Sequence, residues 1–314
     1  MGRAEGEPLA VTVTVRVPVA AVDAVSGLLW SDADLGVLGV EERSAIGSHV
    51  ELVVSLADHA HADLVTTAIT GAGGPLAGVA DAVVGRDEVV DDSWLDAWRE
   101  HARPVRAGRH LVIVPVDLDD ADSADSAGLV APSAPALPVG ADDLVVAIDP
   151  GRAFGSGAHV TTRLVLALLE EEAVAGAAIL DVGCGSGVLA VAAALLGAAR
   201  VEAIDVDAEA VRATGRNARH HRLEAVITAS ATPVEQVQGA FDLVLANIGA
   251  SVLVAMAPAL ARRTAPAGRL LLSGVLDERR AEVEASFAGN GLDVVAERAD
   301  EGWVGLALAH RPTR

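Results

Sequence analysis

The residues with the clearest chemical potential form a glycine-rich turn, DVGCGSG, at positions 181–187. The turn follows an apolar run of strand length and precedes a predicted helix. Gly183 and Gly185 allow the backbone to bend sharply and approach a ligand, and a helix start offers free N–H groups. A dinucleotide-binding GxGxxG pattern would need glycine at the position that Val188 occupies. The turn therefore predicts a ligand site that differs from the dinucleotide fingerprint.

A carboxylate, Asp205, ends the next predicted strand, 22 residues after Gly183. This spacing is close to that at which an acid meets ribose hydroxyls in nucleotide sites. A carboxylate there accepts two hydroxyl hydrogen bonds and repels a 2′-phosphate, so an adenosine-containing ligand is favoured. The alternative is that Asp205 is only a solvated strand end or a helix cap. Its neighbour Asp207 is expected to cap the helix that follows.

Two further segments carry polar groups that could face the same ligand. The first, DPGRAFGSGAHVTT at 149–162, is a glycine-rich loop that leads into a helix, and its threonine hydroxyls are expected to face a ligand. His159 in this loop is a candidate base, with shaping of the loop as the alternative role. The second is Asn247, which ends the apolar run FDLVLAN at the carboxyl end of a predicted strand, where ligands gather in open α/β sheets.

The elements that must position these residues alternate from Leu144 onward. Near-continuous apolar runs at 177–182, 199–206, 241–248 and 268–275 predict strands buried on both faces of a parallel sheet. Helices are predicted at 188–196 and 208–220, and LDVVAERADEG and WVGLALAHR predict two strands across a tight turn at one edge. The pattern predicts an α/β doubly wound sheet, mostly parallel with an antiparallel edge strand.

The first 90 residues predict a different, smaller fold. Strands are expected at 9–18, 36–43, 49–57 and within 76–90, with helices at 20–30 and 61–73. The order βαββαβ predicts a small α+β ferredoxin-like domain. The chain therefore divides into an N-terminal substrate-recognition domain (1–90), a connector (91–143) and a catalytic domain (144–314). The connector holds a helix with Trp94 and Trp98, then an Ala/Pro/Asp-rich flexible insertion at 117–143.

Composition narrows the partners and the location. A net charge of −21 argues against a surface that grips nucleic acid directly, since phosphate contacts need a basic face. Residues 1–116 hold 17 acids against 8 Arg, which would attract a basic protein or, equally, only maintain solubility. Cys184 is the only cysteine, which excludes an internal disulfide and a multi-cysteine metal site, and no metal is predicted. The cysteine is expected to fill space in the turn. The start of the following helix is expected to lower the pKa of its thiol. With no apolar signal-peptide core in the first ten residues and no membrane span, a soluble, cytoplasmic protein is expected.

Together, DPGRAFGSGAHVTT, LDVGCGSG, AIDVD and LANI, preceded by DDSWLDAWREHARPVRAG, resemble the bacterial ribosomal protein L-eleven methyltransferase family (PrmA). The resemblance covers the catalytic half and the Trp-rich connector and is weaker over the first 90 residues. It implies a class I methyltransferase with S-adenosylmethionine as cofactor and ribosomal protein L-eleven as partner. It also implies cofactor contacts at Thr162, Gly183, Asp205 and Asn247, and the glycine motif adds Gly185. The sequence departs from the family pattern at Gly249, at Ser156 and in the 117–143 insertion.

In such a reaction an unprotonated amine attacks the sulfonium methyl and a neutral thioether leaves. The protein mainly aligns the partners, and we expect the Asn247 carbonyl to accept a hydrogen bond from the amine and aim its lone pair. The acceptor is expected to be an N-terminal α-amine or a lysine of ribosomal protein L-eleven. Two alternatives stay open: the same enzyme acting on another protein or a small molecule, and a non-catalytic scaffold that binds S-adenosylmethionine.

Overall fold

A computed structural model describes residues 10–18, 22, 25, 29, 37–46, 49–56, 59–70, 82–89, 103–116, 118, 140–149 and 157–312. The chain divides into two compact units, residues 1–96 and 97–314. The predicted helix with Trp94 and Trp98, nearly all of the 117–139 stretch and residues 150–156 lie outside the described residues.

The N-terminal unit contains a four-stranded antiparallel sheet. Its elements are β1 (Ala10–Pro18), β2 (Val37–Ile46), β3 (His49–Leu56), α1 (His59–Thr70) and β4 (Ala82–Val89). The strand order is β2-β3-β1-β4, and every neighbouring pair is antiparallel. The four strands and α1 agree with the predicted βαββαβ order. Of the predicted first helix, the structure describes Val22, Val25 and Leu29, which are helical and buried.

Alternation along β1 explains how this unit folds. Val11, Val13, Val15 and Val17 are fully buried, whereas the residues between them are partly exposed. A period of two places one face of the strand in the core, and the spacing of three and four residues between the buried helical positions places them on one helix face. These residues form a single apolar cluster.

The second unit is built on a seven-stranded sheet with the order β10-β9-β8-β11-β12-β14-β13. The strands are β8 (Ala178–Val182), β9 (Arg200–Ile204), β10 (Ile227–Ser230), β11 (Phe241–Asn247), β12 (Thr264–Leu276), β13 (Leu292–Asp300) and β14 (Trp303–His310). Strands β8 to β12 pair in parallel, and β14 pairs antiparallel with both β12 and β13. The predicted doubly wound α/β sheet with an antiparallel edge is confirmed. The sequence pattern does not predict β10.

One helix precedes β8, and helices connect four of the six pairs of successive strands in this sheet. They are α2 (Val160–Leu169), α3 (Val188–Leu195), α4 (Ala208–His220), α5 (Ala250–Arg263) and α6 (Arg280–Gly289). In β11, Leu243 and Leu245 enter one apolar cluster and Val244 and Ala246 enter another, so the strand is buried on both faces. This double burial is what the near-continuous apolar runs predict.

A smaller sheet precedes the large one. It consists of β5 (Val105–Ala107), β6 (Leu111–Pro115) and β7 (Leu144–Ile148), with β6 and β7 parallel. Leu111 and Ile113 are buried in the same apolar cluster as one face of the large sheet. Because β6 and β7 are parallel, the residues that flank the insertion lie at opposite ends of this pair: Leu144 pairs with Leu111, and the N–H of Val116 donates to the carbonyl of Ile148 at 3.0 Å.

Candidate functional site

The carboxyl ends of three neighbouring parallel strands bring the predicted site residues to one edge of the sheet. Val182 of β8 pairs with Ile204 of β9 on one side and with Ala246 of β11 on the other. The glycine turn follows β8, Asp205 follows β9, and Asn247 is the last residue of β11. Their proximity follows from strand register, because parallel strands that end in register release their chains at the same edge.

The glycine turn and Asp205 are joined by direct hydrogen bonds. The N–H of Gly185 donates to Oδ2 of Asp205 at 2.9 Å, and the N–H of Asp207 donates to Oδ1 at 3.0 Å. Partial burial of this carboxyl group raises the pKa of Asp205. Each carboxylate oxygen has a second lone pair, so Asp205 can still accept hydrogen bonds from two hydroxyls. The Asp207 side chain caps α4 by accepting from the Glu209 N–H at 2.8 Å, which confirms its predicted role.

Val206, between these two acids, is an apolar side chain with 80% of its surface exposed. An exposed large apolar residue is informative when it stands beside polar groups that could hold a ligand. Here it provides an apolar surface next to the Asp205 carboxylate, suited to the face of a flat aromatic base. The sequence gives its position, but only the structure shows that it is uncovered.

Asn247 lies beside Thr162. The Asn247 Nδ2 group donates to Oγ1 of Thr162 at 3.2 Å, and Thr162 is buried in the first turn of α2. This hydrogen bond engages the amide nitrogen. The carbonyl Oδ1 is then the group that can accept a hydrogen bond from a bound amine. The two residues are 85 positions apart in the chain, so the fold alone brings them together.

His159 occupies the N-terminal cap of α2. Its Nδ1 atom accepts from the Thr161 N–H at 3.4 Å and lies 2.8 Å from the Thr161 hydroxyl. Its ring meets that of Trp303 edge to face, with centroids 5.3 Å apart. These contacts correspond to the loop-shaping alternative for His159, because they fix the start of the helix that carries Thr162.

Asp181, at the end of β8, is completely buried beneath the glycine turn. Its Oδ2 atom accepts from the Ala190 N–H at 3.1 Å, whereas its buried Oδ1 atom has no hydrogen-bond partner. Burial raises the pKa of Asp181 to about 7. A buried acceptor that lacks a partner is costly, so this oxygen fits a ligand that brings a hydrogen-bond donor or a positive charge to the turn.

This raised pKa predicts a pH-dependent stability. In unfolded chains an Asp titrates near 3.9, so between about pH 4 and pH 7 the folded protein binds more protons than the unfolded one. The contribution of Asp181 to the free energy of unfolding is therefore full at low pH, falls as pH rises through this interval and is lost above it. The variant Asp181→Asn cannot titrate, so its stability relative to wild type should rise by at least about 1 kcal/mol between pH 5 and pH 8. Urea unfolding at both pH values measures this, and a constant difference would contradict it.

A buried amide, Asn217 on α4, connects the glycine turn to Asp149, the residue directly after β7. Its Nδ2 group donates to the carbonyls of Asp149 and Ser186 at 2.7 and 2.8 Å, and its Oδ1 accepts from the Asp149 N–H at 3.0 Å. Asn217 has no exposed surface. The sequence pattern does not single out Asn217, because a polar side chain in an amphipathic helix is ordinarily expected to face solvent.

Replacing Asn217 with Leu should therefore destabilise the fold. The change removes three buried hydrogen bonds at about 1 kcal/mol each, so we expect a loss of about 3 kcal/mol in the free energy of unfolding. The matched control is Gln238→Leu, because the Gln238 amide makes an exposed hydrogen bond to the Gln236 carbonyl. Its effect should stay within about 0.5 kcal/mol. If urea unfolding gave equal losses of unfolding free energy in the two variants, the buried hydrogen bonds of Asn217 would not stabilise the fold.

Cys184, inside the turn, is a buried space filler. The Thr214 hydroxyl donates to its sulfur at 3.3 Å. Burial, reinforced by the nearby Asp181 carboxyl, raises the pKa of this thiol above its ordinary value. The expectation that the helix start lowers the thiol pKa is wrong, because desolvation outweighs the helix dipole here. The expected filling role is consistent with this burial.

Comparison with known proteins decides the family. The family model described as "Ribosomal protein L11 methyltransferase (PrmA)" matches residues 39–311. The chain belongs to this family.

Its relatives and a solved structure agree. The ribosomal protein L11 methyltransferase of Sorangium cellulosum is 39% identical over 305 residues, covering 94% of this chain and 88% of that protein. The one of Pelotomaculum thermopropionicum is 42% identical over 234 residues, covering 74% and 70%. The crystal structure of a ribosomal protein L11 methylase from Lactobacillus delbrueckii subsp. bulgaricus matches with a TM-score of 0.57 at 31% identity, over 67% of this chain and all of that one.

PrmA membership confirms the predicted family, enzyme class and cofactor, S-adenosylmethionine. Within the described part of the chain, no group of three or more His, Cys, Asp or Glu could hold a metal ion. In the same residues, no helix has both the length and the apolar character needed to cross a membrane. A Cβ added to Gly249 would meet none of the described residues within 4 Å.

Proposed function

We propose that this chain transfers methyl groups from S-adenosylmethionine to amines of ribosomal protein L11. The observation that carries the proposal is the hydrogen bond from Asn247 to Thr162, which presents a carbonyl oxygen at the sheet edge where Gly185 and Asp205 meet. Gly185 and Asp205 suit the methyl donor, and Asn247, held by Thr162, suits the amine that receives the methyl group. The names of the relatives support L11 as the acceptor.

The residues present fit the cofactor. Asp205 would accept hydrogen bonds from the ribose hydroxyls, and Val206 would cover a face of the adenine ring. Backbone groups of Gly183 and Gly185 would lie along the adenosyl part, and the unpartnered Oδ1 of Asp181 would face the positively charged end. Thr162 and Asn247 would border the methyl group. When bound, the cofactor supplies a methyl group activated by the neighbouring sulfonium.

The chain's own contribution to the chemistry is alignment. An N-terminal α-amine, with a pKa of about 8, is partly neutral at pH 7, whereas a lysine amine near 10.4 must first lose its proton. Asn247 Oδ1 would accept a hydrogen bond from the neutral amine and hold its lone pair along the line of attack. Thr162 keeps that oxygen in place by engaging the amide nitrogen. Such positioning converts an encounter of two molecules into a reaction of fixed geometry.

Different segments of the chain would bind the acceptor protein and the cofactor. Residues 1–90 would hold the acceptor protein, residues 91–143 would serve as connector, and residues 144–314 would hold the cofactor. The 17 acids against 8 Arg in residues 1–116 favour a basic protein as partner over direct contact with nucleic acid or with an anionic membrane surface. An enzyme that acts on a ribosomal protein would work in the cytoplasm.

The test uses ribosomes from a strain that lacks this protein. They are incubated with methyl-labelled S-adenosylmethionine and the purified chain, and the label is followed on separated ribosomal proteins. Label on L11 supports the proposal, and label on another protein or a small molecule favours a different acceptor. Cofactor binding without any transfer would identify a non-catalytic scaffold. Repeating the reaction with L11 acetylated at its N-terminus separates α-amine methylation from lysine methylation.

A further inference from the structure

Ile248, the residue after Asn247, lies between Gly183, in the turn after β8, and Gly274, in β12. A Cβ added to Gly183 would lie 2.5 Å from Cγ2 of Ile248, and apart from the chain neighbours of Gly183 no other described residue lies within 4 Å of it. A Cβ added to Gly274 would lie 2.4 Å from the carbonyl oxygen of Ile248 and 2.7 Å from its carbonyl carbon. Real Cβ atoms do not approach neighbours so closely, so Ile248 lies in space that only glycine leaves open at both positions.

Both glycines are also required by their backbone conformation. Gly183 has a φ of 73° and Gly274 a φ of 86°, in the left-handed region that side chains disfavour. Gly274 lies in β12, directly after Ser273, which pairs with Asn247 of β11. The pairing of β12 with β14 shifts register between Leu272 and Val275, around the same glycine. A glycine at such an irregularity marks a close approach of another backbone.

We propose that Ile248 is a positioning residue that sets the distance between Asn247 and the glycine turn. Its side chain meets the turn at Gly183, and its backbone meets β12 at Gly274. The inference rests on the proposed function, because Asn247 would face the amine and the turn would hold the methyl donor. A fixed separation of these two groups is what an in-line transfer needs, and a displacement of about 1 Å can cost about 100-fold in rate.

The first test compares two alanine substitutions that carry the same backbone strain. Gly291 has a φ of 84°, and a Cβ added there meets no described residue within 4 Å. Gly274→Ala and Gly291→Ala therefore share the cost of a left-handed residue, but only the first displaces the Ile248 backbone. We expect kcat on the methyl acceptor to fall about 100-fold in Gly274→Ala and less than about threefold in Gly291→Ala. Equal kcat values would overturn the inference.

The second test asks whether the side chain of Ile248 transmits the effect of Gly183. Among the described residues, the methyl added in Gly183→Ala meets Ile248 side-chain atoms alone, so Ile248→Ala in the same chain should relieve the conflict. We expect the double variant to recover at least about tenfold of the lost cofactor affinity and kcat. Ile248→Val keeps both γ-carbons and should not rescue Gly183→Ala. Nor should Ile248→Ala rescue Gly274→Ala, because that conflict is with backbone atoms.

Several readouts keep the inference separate from the proposed function. Calorimetric affinity for S-adenosylmethionine and thermal unfolding need no acceptor, so the rescue pattern can be read even if L11 receives no methyl group. Inactivity of the wild-type chain on L11 would contradict the proposed function alone. Rescue of Gly183→Ala by Ile248→Val as well, or by neither change, would contradict the role of Ile248. If Gly274→Ala does not fold, the Gly183 series decides the question.

Discussion

Substituting Ala for Asn247 is expected to lower kcat for amine methylation about 1000-fold, while the Kd for S-adenosylmethionine changes by less than about fivefold. The amide oxygen would meet the amine only as the transfer geometry forms, so its loss falls mainly on turnover. Asn247 also borders the predicted cofactor site, so a small change in Kd is compatible with its role. Steady-state kinetics on the acceptor and calorimetry with the cofactor measure the two quantities separately.

A graded series gives this prediction its controls. Thr162→Val removes the hydroxyl that receives the Asn247 amide nitrogen but keeps the size of the side chain, so the amide can rotate. We expect a loss of about tenfold in kcat, and recovery in Thr162→Ser, which restores a hydroxyl. Asn290→Ala removes an amide that bonds only the Ser286 carbonyl at the end of a helix, and its kcat should equal that of wild type. A fully active Asn247→Ala would remove this residue from the proposed mechanism.

The proximity of Gly185 and Asp205 can be predicted from the sequence, because it depends on local patterns. Apolar runs at β8, β9 and β11 identify strands buried on both faces, and such strands occur in parallel sheets. Once the sheet is parallel, the residues after these strands must gather at one edge. The hydrogen bond from Gly185 to Asp205 is therefore a consequence of the pattern, although the two residues are 20 positions apart.

Other features depend on the tertiary arrangement and leave no local signal. Strand β10 has only four residues, of which Ile227 alone is buried, so it lacks an apolar run. The contact of Gly274 with Ile248 follows from the register of β12 against β11, which no spacing in the chain reveals. Likewise, the exposure of Val206 and the burial of Asn217 depend on what packs around them. Local patterns therefore predict the sheet and its acids, but not the contacts that fix their separations.

Asp205→Ala should weaken binding of S-adenosylmethionine about 1000-fold, and here the effect lies in Kd. Two hydrogen bonds to a charged acceptor are each worth about 1.5–3 kcal/mol, and the change also frees the N–H of Gly185 that shapes the turn. The matched control is Asp207→Ala, two residues away, whose carboxylate caps α4 and has only a coulombic interaction with Asp205. It should cost about 1 kcal/mol in the free energy of unfolding and leave the Kd unchanged. If both variants bind the cofactor like wild type, the ribose assignment is wrong.

The contribution of Asp205 to cofactor affinity should come mainly from its charge and less from its shape. Measuring the affinity at several pH values can separate the two effects. Partial burial raises the pKa of Asp205, so the carboxylate is protonated at a higher pH than an exposed Asp. Hydroxyl donors bind the ionised form, so affinity for the cofactor should fall as pH drops through this raised pKa. Asp205→Asn keeps the shape but cannot ionise, so its Kd should be high throughout and lack this pH dependence. Because Asp181 titrates in both proteins, the difference between their two pH profiles isolates Asp205, and parallel profiles would mean that its charge contributes nothing to binding.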